Sequence, residues 1–151
     1  MTSAVPEVAT TLVPAGAHLL LIFDGWCGVC TRTVDWIKAR DPAGHVAALP
    51  NQTPDLLERA GLTRDQVDRE VWAIDRRGRR YAGAAAINRV LAELPRWRRV
   101  APLYRIPGIR QSQTLAYRWF AANRGQFFWL GTTPACRRPG VLCRSERGVE
   151  Q

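Results

Sequence analysis

Two cysteines three residues apart, Cys27 and Cys30, follow Asp24-Gly25-Trp26 and open a stretch with helical periodicity. Sulfurs at positions i and i+3 of a helical turn can bond without large backbone movement. The first of the two falls where a helix leaves backbone N–H groups without intrahelical partners, and the helix dipole there favours negative charge. Cys27 is therefore read as the attacking thiolate. Cys30, one turn in and on the apolar face, is read as the resolving thiol that displaces a mixed disulfide. Asp24 either accepts the Cys30 proton or caps the turn, and its charge opposes a neighbouring thiolate, so the residues alone leave both roles open. Asp24-Gly25 breaks the preceding strand; Trp26 reads as a core residue, and as a flat apolar cover beside the thiol it also helps a partner chain dock.

One alternative is a buried, inert pair, for which a helix start beside Trp26 is an awkward place; the competing chemistry is zinc, with Cys27 and Cys30 as half of a four-ligand site. Its other half would have to come from Cys136, Cys143, His18 or His45. Cys136 and Cys143 stand seven apart with arginines between, a poor match to a second cysteine knuckle. Thiol exchange itself calls for no metal and no cofactor. His45 reads as a polar residue at a strand start, and His18 has no visible partner in the sequence.

The elements that must position the pair are legible around it. His18 to Phe23 is an almost unbroken apolar run, the pattern of a strand covered on both faces. A helix starting around Cys27 places Cys30, Val34 and Ile37 on one face and ends near Arg40, because Asp41-Pro42 stops it. His45 to Leu49 follows as a second strand, and strand, helix, strand at this spacing predicts a parallel unit. Thr53-Pro54-Asp55 opens a helix closed by Gly61, and Thr63 to Gln66 begins another short helical stretch. Glu70 to Asp75 and Arg79 to Ala82, joined by Arg76-Arg77-Gly78, form a β-hairpin. Ile87, Val90, Leu91 and Leu94 recur at helical spacing between Gly83 and Leu94. Beyond Pro95 the pattern stays helical, broken by Pro102 and Pro107. Trp97-Val100-Leu103-Tyr104 and Leu115-Trp119-Phe120 are read there as core-facing stripes.

The expected organisation is a flexible arm over 1–17, a single domain over 18–136 with a helical extension from about 95, and a disordered basic tail over 137–151. At 151 residues and 46% hydrophobic composition the chain can bury one core. No apolar run approaches the roughly 18 residues of a membrane span, and Met1 to Ala17 lacks the basic and apolar regions of a secretory signal. The cytoplasm is the expected compartment, where a Cys-x-x-Cys is more often catalytic or metal-binding than structural. Charge is uneven: residues 1–75 sum to −4 and residues 76–151 to +13. The arginines are spread rather than gathered, so they are read as solvated helix faces, with no specific nucleic-acid partner. Peripheral contact with an anionic membrane ranks last, since the apolar stripes are taken as core-facing.

Trp26-Cys27-Gly28-Val29-Cys30 resembles the thioredoxin active-site motif with Val29 in place of Pro. More closely, Phe23-Asp24-Gly25-Trp26-Cys27-Gly28-Val29-Cys30 resembles the signature of the DCC family of thioredoxin-like thiol-disulfide oxidoreductases, named for its Asp, Cys and Cys. Arg40-Asp41-Pro42, Ala84-Ala85-Ala86-Ile87, Asn123-Arg124 and Gly131 to Pro139 are similar to later parts of that family, so the likeness runs over roughly residues 18–139. It implies an α/β thioredoxin-like core, a four-stranded mixed sheet with flanking helices, and a C-terminal helical extension. It also implies Asp24, Cys27 and Cys30 as site residues, with Cys136 as a recurrent third thiol. Cys136 either folds back near Cys27 or stands without a role near the tail, the second being preferred, and Cys143 is taken as incidental. Unlike thioredoxins, the chain has Val67-Asp68-Arg69-Glu70 and no Pro before the third strand, so that substrate-docking loop is not expected. The function read is dithiol–disulfide exchange with a disulfide- or dithiol-containing protein or a small thiol. The alternative is a non-catalytic binding protein, using the cysteines for zinc or the basic C-terminal half for an acidic partner.

Overall fold

The computed structural model describes residues 12–143. Strand β1 (Leu19–Phe23) lies inside the sheet, and none of its residues is more than 5% exposed. Its side chains alternate between two cores, as the pleat requires. Leu19, Leu21 and Phe23 pack with Val34, Ile37, Ala86, Val90 and Leu94 on one face. Leu20 and Ile22 pack on the other with Leu56, Ala60, Leu62, Val67 and Ile74. Each such side chain contributes about 1.5–3 kcal/mol on burial, so five consecutive ones make this strand the anchor of the fold.

Strand β2 (Val46–Pro50) pairs parallel to β1, with Leu19 opposite Val46 and Phe23 opposite Pro50. Strand β3 (Trp72–Asp75) pairs antiparallel on the other side of β1, and β4 (Arg80–Ala82) closes the hairpin. The order β2-β1-β3-β4 makes a four-stranded mixed sheet. Helices α1 (Gly28–Ala39) and α4 (Ala84–Leu91) contribute to the first core. The short helices α2 (Leu56–Ala60) and α3 (Arg64–Arg69) contribute to the second. This is the thioredoxin-like arrangement, with a C-terminal helical extension. Predicted and observed elements agree in kind and order; the strands begin one or two residues later than their apolar runs suggest.

Two boundaries and one helix face differ from expectation. Leu12, Val13 and Ala17 are buried against the second core, and Arg76 Nε donates to the Ala17 carbonyl at 2.6 Å. The packed domain therefore begins before residue 18; Met1 to Thr11 lies outside the described residues. At the other end, Arg137 to Cys143 is not a tail. Arg138 makes a two-pronged ion pair with Asp35 on α1, at 3.0 and 2.8 Å; only the remainder of the expected tail, 144–151, lies outside the described residues. The Arg138 hydrogen bond to Asp35 outweighs the opposing effect of burial and holds that carboxyl below its ordinary range.

The third difference concerns α5 (Pro107–Asn123), which has no buried residue. Leu115 and Trp119 are 66% and 60% exposed, and Val100 and Leu103 are exposed as well. Of the stripes read as core-facing, Val100, Leu103, Leu115 and Trp119 point outward instead, whereas Phe120 faces inward. The face that docks runs through Gln113, Tyr117, Phe120 and Ala121. Gln113 bonds Asn88 at 2.8 Å, and the Val71 N–H donates to the Tyr117 phenol oxygen at 2.8 Å. A polar anchor won over the more hydrophobic spacing because Val71, just before β3, has an N–H that needs a partner.

His18 and His45 end the sheet opposite the cysteines. Their rings stack at 4.1 Å, and His18 Nδ1 lies 2.9 Å from Glu93 Oε2. His18 thus has a partner that the sequence did not reveal. Burial pushes the Glu93 carboxyl up, but hydrogen bonds from His18 and Arg89 outweigh it and bring the group below its ordinary value of 4.5. A carboxylate with a depressed native pKa stabilises the fold above its unfolded pKa, and that stabilisation is lost as pH falls through the native value. Glu93→Gln is expected to lower unfolding free energy by about 1–3 kcal/mol near neutrality. The gap to the unaltered chain should close as pH falls from the ordinary value of 4.5 through the lower native one, as the carboxylate of the unaltered chain becomes protonated. Urea midpoints of both chains between pH 3 and 7 measure this; a gap independent of pH would contradict it.

Candidate functional site

The buried strand β1 ends at Phe23, and the chain turns through Asp24-Gly25-Trp26 into α1. Asp24 Oδ1 accepts from the Trp26 N–H at 3.0 Å, which closes the turn, and from Gln52 Nε2 at 2.9 Å. Gln52 is 3% exposed, and its Oε1 accepts from the Gly25 N–H at 2.9 Å. One side chain at the end of β2 thus holds both the backbone and the carboxylate of the turn.

Cys27 is the residue that caps α1. Its backbone is extended (φ −88°, ψ 114°), and its Sγ accepts from the Cys30 N–H at 3.3 Å. Sulfur occupies the place that a Ser or Asp oxygen takes at most helix starts. No acidic residue stands in the first turn of α1. Cys27 and Cys30 are both thiols here and both half-buried. Thr31, 1% exposed, donates through Oγ1 to the Cys27 carbonyl at 2.9 Å and fixes the first turn from behind. Trp26, read as a core residue, is 40% exposed beside it.

Cys30 packs against the first core. It lines a cavity of about 230 Å³ whose walls include Phe23, Val71, Ile87 and Phe120, with Asp24 and Glu70 also on the lining. Asp24 therefore does cap the turn, and it also borders the same cavity as Cys30.

A segment from the far end of the chain lies across this turn. The Thr132 N–H donates to the Gly28 carbonyl at 3.2 Å, and the Cys136 N–H to the Gly25 carbonyl at 2.9 Å. The Ala135 N–H donates to Thr31 Oγ1 at 3.1 Å. The fit leaves no room for side chains. A Cβ on Gly28 would stand 2.5 Å from the Thr132 carbonyl oxygen, and one on Gly25 would stand 2.5 Å from Cys136 Sγ. Cys136 has folded back onto the motif, against the preferred reading, and is joined to Cys143 in a disulfide. Cys143 is therefore not incidental.

The remaining predicted residues separate. His18 and His45 precede β1 and β2, whereas the cysteines follow β1, and a five-residue strand spans about 17 Å. They cannot complete a site with Cys27 and Cys30; among the described residues His18, His45 and Glu93 form the one cluster of three potential metal ligands. Gln52, Thr31 and Tyr117 were missed by reading the sequence. None belongs to a motif, and their roles depend on chain segments that meet only in the fold. The 113/117/120/121 spacing was the one available signal for Tyr117.

A thioredoxin-like fold with a dithiol on the first turn of the helix after its central strand defines the class: a thiol-disulfide oxidoreductase-like protein. The model of the DCC1-like thiol-disulfide oxidoreductase family matches residues 21–130, and the chain belongs to that family. It is 31% identical over 124 residues to the uncharacterized protein YuxK of Bacillus subtilis (strain 168), covering 80% of this chain and 86% of that one. No solved structure matches the chain.

Gly28 gives a sharp test of the packed segment. In a helix Ala is ordinarily better than Gly by about 1 kcal/mol. Here Gly28→Ala is expected to destabilise by about 1–3 kcal/mol, because rigid backbone must move to admit the methyl group. Hydrogen exchange at Thr132 and Cys136 should quicken at the same time. Stabilisation by Ala would refute the close approach.

Proposed function

We propose that the chain catalyses thiol-disulfide exchange through Cys27 and Cys30. The observation that carries this reading is the Cys27 sulfur capping α1 and accepting the Cys30 N–H. A thiolate there receives a hydrogen bond and the positive end of the helix dipole. Cys27 attacks one sulfur of a partner disulfide, and the partner's other sulfur leaves as thiolate. Cys30 then loses its proton, for which Asp24 on the shared cavity is the acceptor, and attacks Cys27 Sγ. The Cys27–Cys30 bond forms and the reduced partner departs with both electrons. Trp26 supplies the apolar surface on which the partner docks, and the setting is the cytoplasm.

The test is alkylation at pH 7. Cys27 is expected to react several-fold faster than a model thiol: the thiolate share rises about thirtyfold when a thiol of ordinary pKa near 8.5 becomes mostly ionised, and the lower nucleophilicity of a low-pKa thiolate offsets part of that gain. Cys27→Ser should remove the fast phase and Cys30→Ser should keep it. A rate equal to the model thiol would sink the mechanism.

A second reading concerns the extension. Leu103, Ile106, Leu115, Trp119 and Trp129 are exposed large apolar residues in an arginine-rich half that carries most of the chain's positive charge. We propose that this half docks on an anionic membrane surface, with aromatic rings at the headgroup level and arginines on the phosphates. No helix among the described residues is long and apolar enough to cross a membrane. Sedimentation with vesicles of 30% anionic lipid is expected at low salt. It should fall with added salt and with Trp119→Ser/Trp129→Ser; equal binding to neutral vesicles would contradict it.

A further inference from the structure

The Cys136–Cys143 disulfide sits against the turn that carries the dithiol. Cys136 is tied by its N–H to Gly25, two residues before Cys27, and its Sγ stands directly over the Gly25 Cα. Two residues of chain span at most about 7 Å, which bounds the separation of the Gly25 and Cys27 backbones, and the exchange requires the segment to move until Cys136 Sγ reaches Cys27 Sγ. Neither Cys136 nor Cys143 is buried. The crosslink closes only a short loop, in a segment already held by Arg138 on Asp35 and by the backbone bonds to Gly25 and Gly28. A purely structural role has little left to do there.

Gln52 adds a link between the two cysteine pairs. Its Oε1 lies 3.7 Å from Cys136 Sγ while it accepts from Gly25, and its Nε2 holds Asp24. A sulfur in a disulfide carries no proton, so it has none to donate to that oxygen. A reduced Cys136 has an S–H that it can give. The redox state of Cys136 therefore reaches the turn of the motif through one buried amide.

We propose that Cys136–Cys143 is the intramolecular exchange partner of Cys27 and Cys30, making the chain a two-pair electron relay; this rests on the exchange chemistry proposed above. The Cys27 thiolate attacks Cys136 Sγ. The Cys27–Cys136 bond forms, the Cys136–Cys143 bond breaks, and Cys143 leaves as a thiolate that takes a proton from water. Cys30, deprotonated, attacks Cys27 Sγ; the Cys27–Cys30 bond forms and Cys136 leaves and is protonated. Two electrons pass from one pair to the other, and no external oxidant or reductant enters. Run backwards, the same steps reload the first pair. The reduced second pair also unties Cys143 from Cys136.

The experiment is trapping in the full chain. In Cys30→Ser the second step is blocked, so incubation near pH 8, acid quench, alkylation and non-reducing peptide mapping should recover a Cys27–Cys136 link with Cys143 alkylated. The link should vanish in Cys27→Ser/Cys30→Ser. In the unaltered chain, the same protocol should find a fraction of molecules with Cys27–Cys30 closed and both Cys136 and Cys143 alkylated, which requires no variant to fold. A parallel arm offers an aromatic disulfide reagent to Cys30→Ser/Cys136→Ser/Cys143→Ser. Reaction of Cys27 with that reagent, without any internal link in Cys30→Ser, overturns the relay and leaves the exchange activity standing. No reaction with the reagent overturns both. A link from Cys27 to Cys143 overturns Cys136 as the attacked sulfur.

Discussion

Helix α1 begins on a sulfur atom, and the arrangement around the dithiol follows from that. The first N–H groups of a helix need acceptors, and an oxygen from Ser, Thr, Asp or Asn normally serves. Here Cys27 Sγ receives the Cys30 N–H. A neutral thiol is a weak acceptor and a thiolate a strong one, so the helix start and the reactive state of the residue favour each other. The helix can begin at that place only because β1 is pinned by burial on both faces and delivers the chain to the end of the sheet. Gln52 and Thr31 then hold the turn from either side with bonds no longer than 2.9 Å.

The same turn is also a docking surface for the end of the chain. Gly25 and Gly28 have no side chain where Cys136 and Thr132 approach, and Gly131 makes the reciprocal contact with Gly28. Thioredoxins cover their motif with a loop before the third strand. In this chain that stretch is the end of α3 and Glu70, there is no cis peptide among the described residues, and the Val71 N–H is satisfied by Tyr117. A segment more than 100 residues downstream of the motif covers it instead, pinned by Arg138 to Asp35 and by Arg32 to the Leu130 carbonyl at 2.7 Å. The motif therefore belongs to a surface built from both ends of the domain.

The two halves of the chain differ in how they use apolar residues. Up to Leu94 they are spent on two cores flanking one sheet. Beyond it they are largely displayed, and the extension is held by a few directed contacts: Tyr117 on the Val71 N–H, Gln113 on Asn88, and Trp97 edge-on to Trp36 at 5.4 Å. Hydrophobic periodicity is a good guide where burial is the driving force, and it misled in α5, where polar anchors set which face turns inward.

Much of the core was legible in local pattern. The apolar run of β1, the stop at Asp41-Pro42, the hairpin around Gly78 and the spacing of Cys27 and Cys30 each encode structure within a few residues, because strand burial, helix termination and turn geometry are short-range properties. The thiols' place at a helix start belongs to this class. What the sequence could not determine depends on contacts between distant segments. The partner of His18 is 75 residues away, Ala135 bonds Thr31 across 104, and Gln52 holds a turn 28 residues before it. The seating of Cys136 on Gly25, and with it the proximity of a second cysteine pair to the first, exists only once β1, α1 and the closing segment are packed together. Residue types and spacing determined what chemistry Cys27 and Cys30 can do; the tertiary structure decided which other groups stand within its reach.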